Sequence, residues 1–220
     1  MNELTIDHYL TELGNKEGLP GGGSAGAYIG AMSASLVRLV VDVQKDKKSY
    51  ADYSDELYSL LKQAHDLRDT FERLANDDSN AFEPVLKAYQ MPKETADEKE
   101  KRQKTIEGAL LKAAQPPLDM LHSSIELIGI LDQLVKMRMR GTIVNDLMVA
   151  AVFMRAVLET AHLNVTINTK LMKNDWNREE MNRQADEWLA QGKSSLTHLS
   201  EVMTHFLTHD QWPQALMEEE

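Results

Sequence analysis

The sequence predicts an all-α protein: one multi-helical domain over residues 1–220, with helices long enough to share a core in a dimer. Three observations carry this. Apolar residues recur at spacings of three and four through almost every segment. No apolar–polar alternation runs past four residues, as a half-buried strand requires. Breakers such as Gly14 and Pro92 fall between periodic stretches, where helices stop.

Each element follows from its own pattern. Thr5–Leu13 reads as a short amphipathic helix with Ile6, Leu10 and Leu13 on one face. Ser24 to about Lys45 is apolar all round and rich in Gly26, Ala27, Gly30, Ala31 and Ser33, so it is expected to be buried with neighbours close by. Ser54–Tyr89 carries Leu57, Leu60, Ala64, Leu67, Phe71 and Leu74 at helical spacing, and Pro84 is expected to bend it near Asn80. Thr95 and Glu98 have capping-box spacing for a fourth helix. Pro116-Pro117 is expected to end that helix and start a fifth, running to Met137. Asn145 is the expected cap of a sixth, Asp146 to about Lys173. A seventh begins near Asn177; Met181, Ala185, Trp188, Leu196, Leu199, Met203 and Phe206 give it a seam-like stripe. The stretch Trp212–Glu220 reads as frayed or loosely docked.

A net charge of −11 argues against a nucleic-acid backbone as ligand. The absence of cysteine excludes disulfides, thiol catalysis and zinc–thiolate sites, and it suits a reducing compartment. The first residues lack a basic stretch followed by an apolar one. The apolar windows Tyr28–Val41 and Leu147–Leu158 are shorter than a bilayer span. A cytoplasmic protein without membrane contact is the expectation.

The most informative stretch is Leu19-Pro20-Gly21-Gly22-Gly23-Ser24. Consecutive glycines let another group approach the backbone closely. Ser24 is the expected N-cap of the buried helix, whose free N–H groups would seat an anion. The stretch is no nucleotide fingerprint, since no strand precedes it and the Lys-Ser/Thr of a P-loop is missing.

Polar residues in apolar surroundings are the next signal. Lys47 and Lys48 follow the buried helix. Asp77 and Asp78 lie within the third. Asp146 heads the apolar sixth, where Asn164 and Asn168, four apart, share a face. Taken singly, each has a plain structural explanation; as a set beside an anion seat they suggest a binding site. His205 and His209 have metal-ligand spacing but no third ligand is evident, and no metal site is expected.

Several of these blocks resemble the cyclodeaminase/cyclohydrolase family. The residues are LPGGGSAGAYIGAMSASLVRLV, KKSY (Lys47–Tyr50), Asp77–Lys93, Ile106–Leu121 and Asn145–Lys173, in order over most of the chain. The resemblance implies an all-α fold, an intertwined homodimer and a tetrahydrofolate derivative as substrate, with no cofactor. It implies Asp78, Asp146 and Lys48 as candidates for proton transfer, with acid and base unassigned. It implies the Gly21, Gly22, Gly23 and Ser24 loop, Lys47 or Lys48 for the anionic glutamate tail, and Asp146, Asn164 or Asn168 for the pterin. Asn145 and Met148 depart from the serine and glycine common at the head of the sixth helix; Met148 would fill part of the pocket.

Three functions remain open. The first is a methenyltetrahydrofolate cyclohydrolase, with formimidoyltetrahydrofolate cyclodeaminase as its alternative. The second is a non-catalytic folate-binding relative. The third is a helical interaction protein using Met181–Phe206.

Overall fold

The computed structural model describes residues 5–217, which form six α-helices: α1 (Ile6–Leu13), α2 (Gly22–Gln44), α3 (Ser54–Tyr89), α4 (Ala96–Lys136), α5 (Val144–Thr169) and α6 (Asp175–His209). Two 3-10 helices, Lys48–Tyr53 and Gln214–Met217, complete the fold, and no strand occurs among the described residues. α2, α3, α4 and α5 form a ring in which each packs on the next and α5 returns to α2; α6 lies across α4 and α5. The centre is filled by Leu57, Leu60, Phe71, Leu110, Leu121, Leu131 and Leu147, all fully buried.

Small residues let α2 approach its neighbours closely. The ring of Phe71 occupies the place where a Cβ would stand on Gly30, and Thr160 does the same at Gly26. Ser33 is fully buried and satisfies its hydroxyl on the Ala150 carbonyl at 2.9 Å. Gln44 Nε2 donates to the Arg140 carbonyl at 3.1 Å. Residues 26, 33 and 44 of α2 thus meet 160, 150 and 140, so α2 and α5 run antiparallel.

Several expectations are corrected. Pro116-Pro117 does not divide a helix: α4 runs unbroken through 41 residues. Pro117 cannot donate to the carbonyl four residues back. Asn168 Nδ2 reaches from α5 to that carbonyl, Ala113 O, at 3.2 Å, and so repairs the ladder. The capping box of Thr95 and Glu98 forms as expected, with both bonds present. α3 runs from Ser54 to Tyr89 as expected, with Pro84 inside it. Asn145 is not a cap: α5 starts at Val144 after Ile143, which makes no side-chain cap bond.

α1 buries none of its residues, and Ile6 and Leu10 are 75% and 58% exposed. The stretch after α6 is docked rather than frayed up to Met217. Trp212 stacks on Phe206 with centroids 4.4 Å apart and donates to the Met139 carbonyl at 3.1 Å. Residues 218–220 lie outside the described residues. The stripe of α6 is spent inside the chain, burying Met181, Leu196, Leu199 and Phe206, which removes the surface an interaction protein would use. α2 and α5, at 23 and 26 residues, outrun their apolar windows and are long and apolar enough to cross a membrane by length and composition alone; 56% and 39% of their most apolar windows are buried in the fold.

Candidate functional site

The glycine-rich stretch and Asp78 form one unit. Gly21, extended at φ −132°, precedes the first turn of α2, which puts Gly22, Gly23 and Ser24 inside the helix. Ser24 is therefore not the N-cap. The Asp78 carboxylate of α3 lies where a Cβ on Gly23 would stand, and it accepts a hydrogen bond from the Ser24 backbone N–H. The anion seat predicted for a ligand thus holds the chain's own carboxylate. Burial holds its proton affinity above the ordinary aspartate value, and the Ser24 N–H pulls partly the other way.

Beside this pair lies a cavity of about 440 Å³, lined by Tyr9, Glu12, Glu17, Ser24, Tyr28 and Asn80 among others. Tyr9 Oη and Ser24 Oγ are 3.1 Å apart and hydrogen-bonded. The rings of Tyr9 and Tyr28 meet edge to face at 4.6 Å, which ties α1 to α2. Burial first, then the neighbouring Tyr9 and Glu72, raises the proton affinity of Tyr28.

The remaining candidates divide between the two ends of α2. Asn164 and Asn168 lie near the C-terminal end of α5, the end level with the glycine end of α2, and both serve the backbone: Asn164 Nδ2 donates to Thr160 O, and Asn168 Nδ2 donates to Ala113 O and Asn164 O. Asp146, Lys47 and Lys48 lie at the other end. Asp146 is half-buried in the first turn of α5, and both lysines are exposed. Asp146 stands roughly opposite Val37, fourteen residues along α2 from Gly23, or about 20 Å by helical rise. One chain therefore does not bring Asp78 together with Asp146 or Lys48. Met148 packs against the core. His205 and His209 bind backbone carbonyls, and no metal-competent cluster of three occurs among the described residues.

The sequence model of one family, described as formiminotransferase-cyclodeaminase, matches residues 5–187. This chain belongs to that family. A methenyltetrahydrofolate cyclohydrolase from Methylorubrum extorquens is 36% identical over 76% of this chain and 79% of its own length. The formimidoyltransferase-cyclodeaminase of Mus musculus is 26% identical over 87% of this chain, which spans 35% of that longer protein. Among solved structures, a formiminotetrahydrofolate cyclodeaminase from Thermotoga maritima superposes with a TM-score of 0.84 at 25% identity, covering 93% of this chain and 98% of the other. The all-α fold and the family resemblance are both as expected from the sequence.

Sequence reasoning did not single out Tyr9, Tyr28, Glu12 or Glu17. The one available signal was Tyr28, the only aromatic residue of α2, set among small and aliphatic neighbours in its first half. Tyr9 looked like one more residue of an amphipathic helix.

Proposed function

We propose that this protein is a folate one-carbon enzyme, a methenyltetrahydrofolate cyclohydrolase, with Asp78 as its proton-transfer group. The observation that carries the assignment of Asp78 is its carboxylate, seated on the first turn of α2, raised in proton affinity by burial and placed beside a ligand-sized cavity. The reaction itself is supported by the Methylorubrum relative.

The chemistry requires a base and then an acid, and neither a metal nor an organic cofactor. Water attacks the methenyl carbon as one of its protons passes to the Asp78 carboxylate. One C–N bond then breaks; Asp78 returns its proton to the departing nitrogen, and the hydroxyl proton leaves to solvent as the formyl group forms. A carboxyl whose affinity lies closer to neutrality than an ordinary aspartate serves both halves. Glu12 and Glu17 are the carboxylates that line the cavity and would accept from the pterin N–H groups; the tyrosine pair supplies aromatic surface. The experiment is the time course of methenyl absorbance against the buffer rate, for wild type and Asp78→Asn. No acceleration by the wild type refutes the reading.

A second reading, cyclodeaminase, is favoured by the Thermotoga neighbour. There the same carboxyl, protonated, would donate to ammonia as it leaves. Ammonia release from formimidoyltetrahydrofolate separates the two.

The working unit we propose is a cytoplasmic homodimer packed through α2. Ala25, Ile29, Met32, Leu36, Leu39 and Val43 repeat at alternating spacings of four and three along one face, a helix–helix seam. Met32, Leu39 and Val43 are 50%, 45% and 43% exposed, and Val152, Leu163 and Ile167 continue apolar surface on α5. Two antiparallel copies of α2 would carry Asp146 and Lys48 of one subunit to the glycine end of the other. Arg38 and Asp42 lie beside the seam, which suits a protein partner better than lipid. Mixing Asp78→Asn with Asp146→Asn protein tests the shared site: randomly formed mixed dimers regain up to about a quarter of wild-type activity, because one of their two sites carries both changes and the other none. No regain sinks the shared site and leaves the single-chain reading.

A further inference from the structure

The helix α1 is tied to the rest of the fold at one residue. It buries none of its side chains, and Ile6 and Leu10 of its apolar face are exposed. Among the described residues, the hydrogen bond and the ring contact that join α1 to another helix are both made by Tyr9. Its hydroxyl meets Ser24 Oγ, which is buried, at 3.1 Å, and its ring meets Tyr28 edge to face at 4.6 Å. The other side-chain hydrogen bonds of α1 stay within the segment: His8 N–H donates to Thr5 Oγ1, and Thr11 Oγ1 to the Asp7 carbonyl.

The residues behind α1 fold back on it. Asn15 N–H donates to the Glu12 carbonyl at 3.1 Å, and Gly18 N–H to the Asn15 carbonyl at 3.0 Å. The Glu12 carbonyl stands where a Cβ on Gly18 would be, so a larger residue would push the turn off the helix. Residues 6–18 are therefore one rigid body. Leu19 and Pro20, which make no hydrogen bond among the described residues, join it to Gly21 and α2. A rigid body, an unbonded joint and a single point of attachment are the parts of a hinged lid.

The lid's position gives its motion a consequence. The cavity of about 440 Å³ beside Asp78 is walled on one side by Tyr9, Glu12 and Glu17 of this body, and on the other by Ser24, Tyr28 and Asn80. Swinging the body away opens the cavity and withdraws two carboxylates together.

We infer that residues 6–18 are a lid over the Asp78 cavity and that Tyr9 is its latch, the positioning residue that holds Glu12 and Glu17 against a bound ligand. The ligand class, an aromatic ring system with N–H donors for those carboxylates, rests on the folate reading above; the lid itself does not. The latch releases to admit the ligand, and N–H groups bonded to the lid then favour the closed state.

The test is hydrogen exchange of the full chain, read by mass spectrometry over residues 6–17 and over α3–α6. An eight-residue helix is marginal alone, so the amides of α1 are protected only while it is docked. Wild type, Tyr9→Phe and Tyr9→Ala are compared, each with and without 5-formyltetrahydrofolate as probe. Tyr9→Phe keeps the ring and loses one hydrogen bond, so α1 should exchange about fivefold faster while α3–α6 are unchanged. Tyr9→Ala loses the ring contact as well and should exchange faster again. The probe should slow exchange of α1 in wild type, and less in Tyr9→Ala. Equal exchange of α1 in all three proteins overturns the latch, because the helix is then held elsewhere, by a second copy for example. Exchange raised equally in α3–α6 overturns it too, since the opening is then global. Calorimetric binding of the probe with exchange of α1 unchanged overturns the lid's part in recognition. Failure of the probe to bind counts against the folate reading alone, and the Tyr9 comparison without probe still decides the lid.

Discussion

Replacing Gly23 with alanine probes the junction on which the proposed mechanism depends. The new Cβ would lie 2.5 Å from both Cγ and Oδ2 of Asp78. Ordinary contact needs about 3.5 Å, so the start of α2 and the aspartate must separate by about 1 Å. That separation breaks the charge-assisted bond from the Ser24 N–H, a loss of about 1.5–3 kcal/mol. Against it stands the ordinary gain of alanine over glycine within a helix, about 0.5–1 kcal/mol. The clash wins, and the net expectation is a loss of about 1–2 kcal/mol in urea unfolding. A displacement of about 1 Å at a reacting carboxylate should also lower kcat/KM by about a hundredfold, read from methenyl absorbance. Gly22→Ala is the control: nothing stands within 4 Å of a Cβ there, and its stability should rise by about 0.5–1 kcal/mol. If Gly23→Ala is as stable as Gly22→Ala and turns over as wild type, Asp78 does not act through this contact.

Other perturbations address separate links. Asp78→Asn should lower turnover about 10²–10⁴-fold while the circular dichroism of the fold is retained; turnover within twofold of wild type removes Asp78 from the mechanism. The same variant makes a signed prediction about pH. Burial holds the folded-state value of Asp78 above the ordinary aspartate value, so its contribution to stability is complete below the ordinary value and is lost as pH rises through the folded one. Asp78→Asn should therefore gain in Tm relative to wild type between acid and neutral pH, and a difference that shrinks instead would contradict the burial argument. Asn168→Ala leaves the Ala113 carbonyl without its side-chain donor and should cost about 1–3 kcal/mol. Pro117→Ala restores an N–H to that carbonyl, so the cost should fall in the double variant; strict additivity would show that Asn168 does not repair the ladder. Met32→Glu/Leu39→Glu should convert the proposed dimer to monomer in analytical ultracentrifugation, with activity lost in parallel, whereas an unchanged sedimentation coefficient refutes the α2 seam.

The fold class was legible in the sequence because helices announce themselves locally. The spacing of Leu57 through Leu74 and the Thr95–Glu98 box depend on neighbours within a turn or two, and both hold in the structure. The family was equally legible, through short blocks in fixed order. Errors came where a distant element answered a local signal. Pro116-Pro117 reads as a break by every local rule, yet Asn168, 51 positions beyond Pro117, supplies the missing donor. The seat at the start of α2 reads as open, yet Asp78 arrives from another helix to fill it. α1 shows a regular apolar face, but Tyr9 from its side is what meets α2.

The sequence by itself therefore determined that this chain is helical, where most helices run and which family it joins, since these rest on local periodicity and ordered motifs. Only the tertiary structure decided that Asp78 is the carboxylate on the α2 terminus, that Tyr9 and Tyr28 wall its cavity, that Asp146 lies about 20 Å away along the antiparallel α2–α5 pair, and that Lys48 lies beyond the far end of α2. Those facts depend on which residues of separate helices come level when they pack, and no spacing along one helix encodes that register.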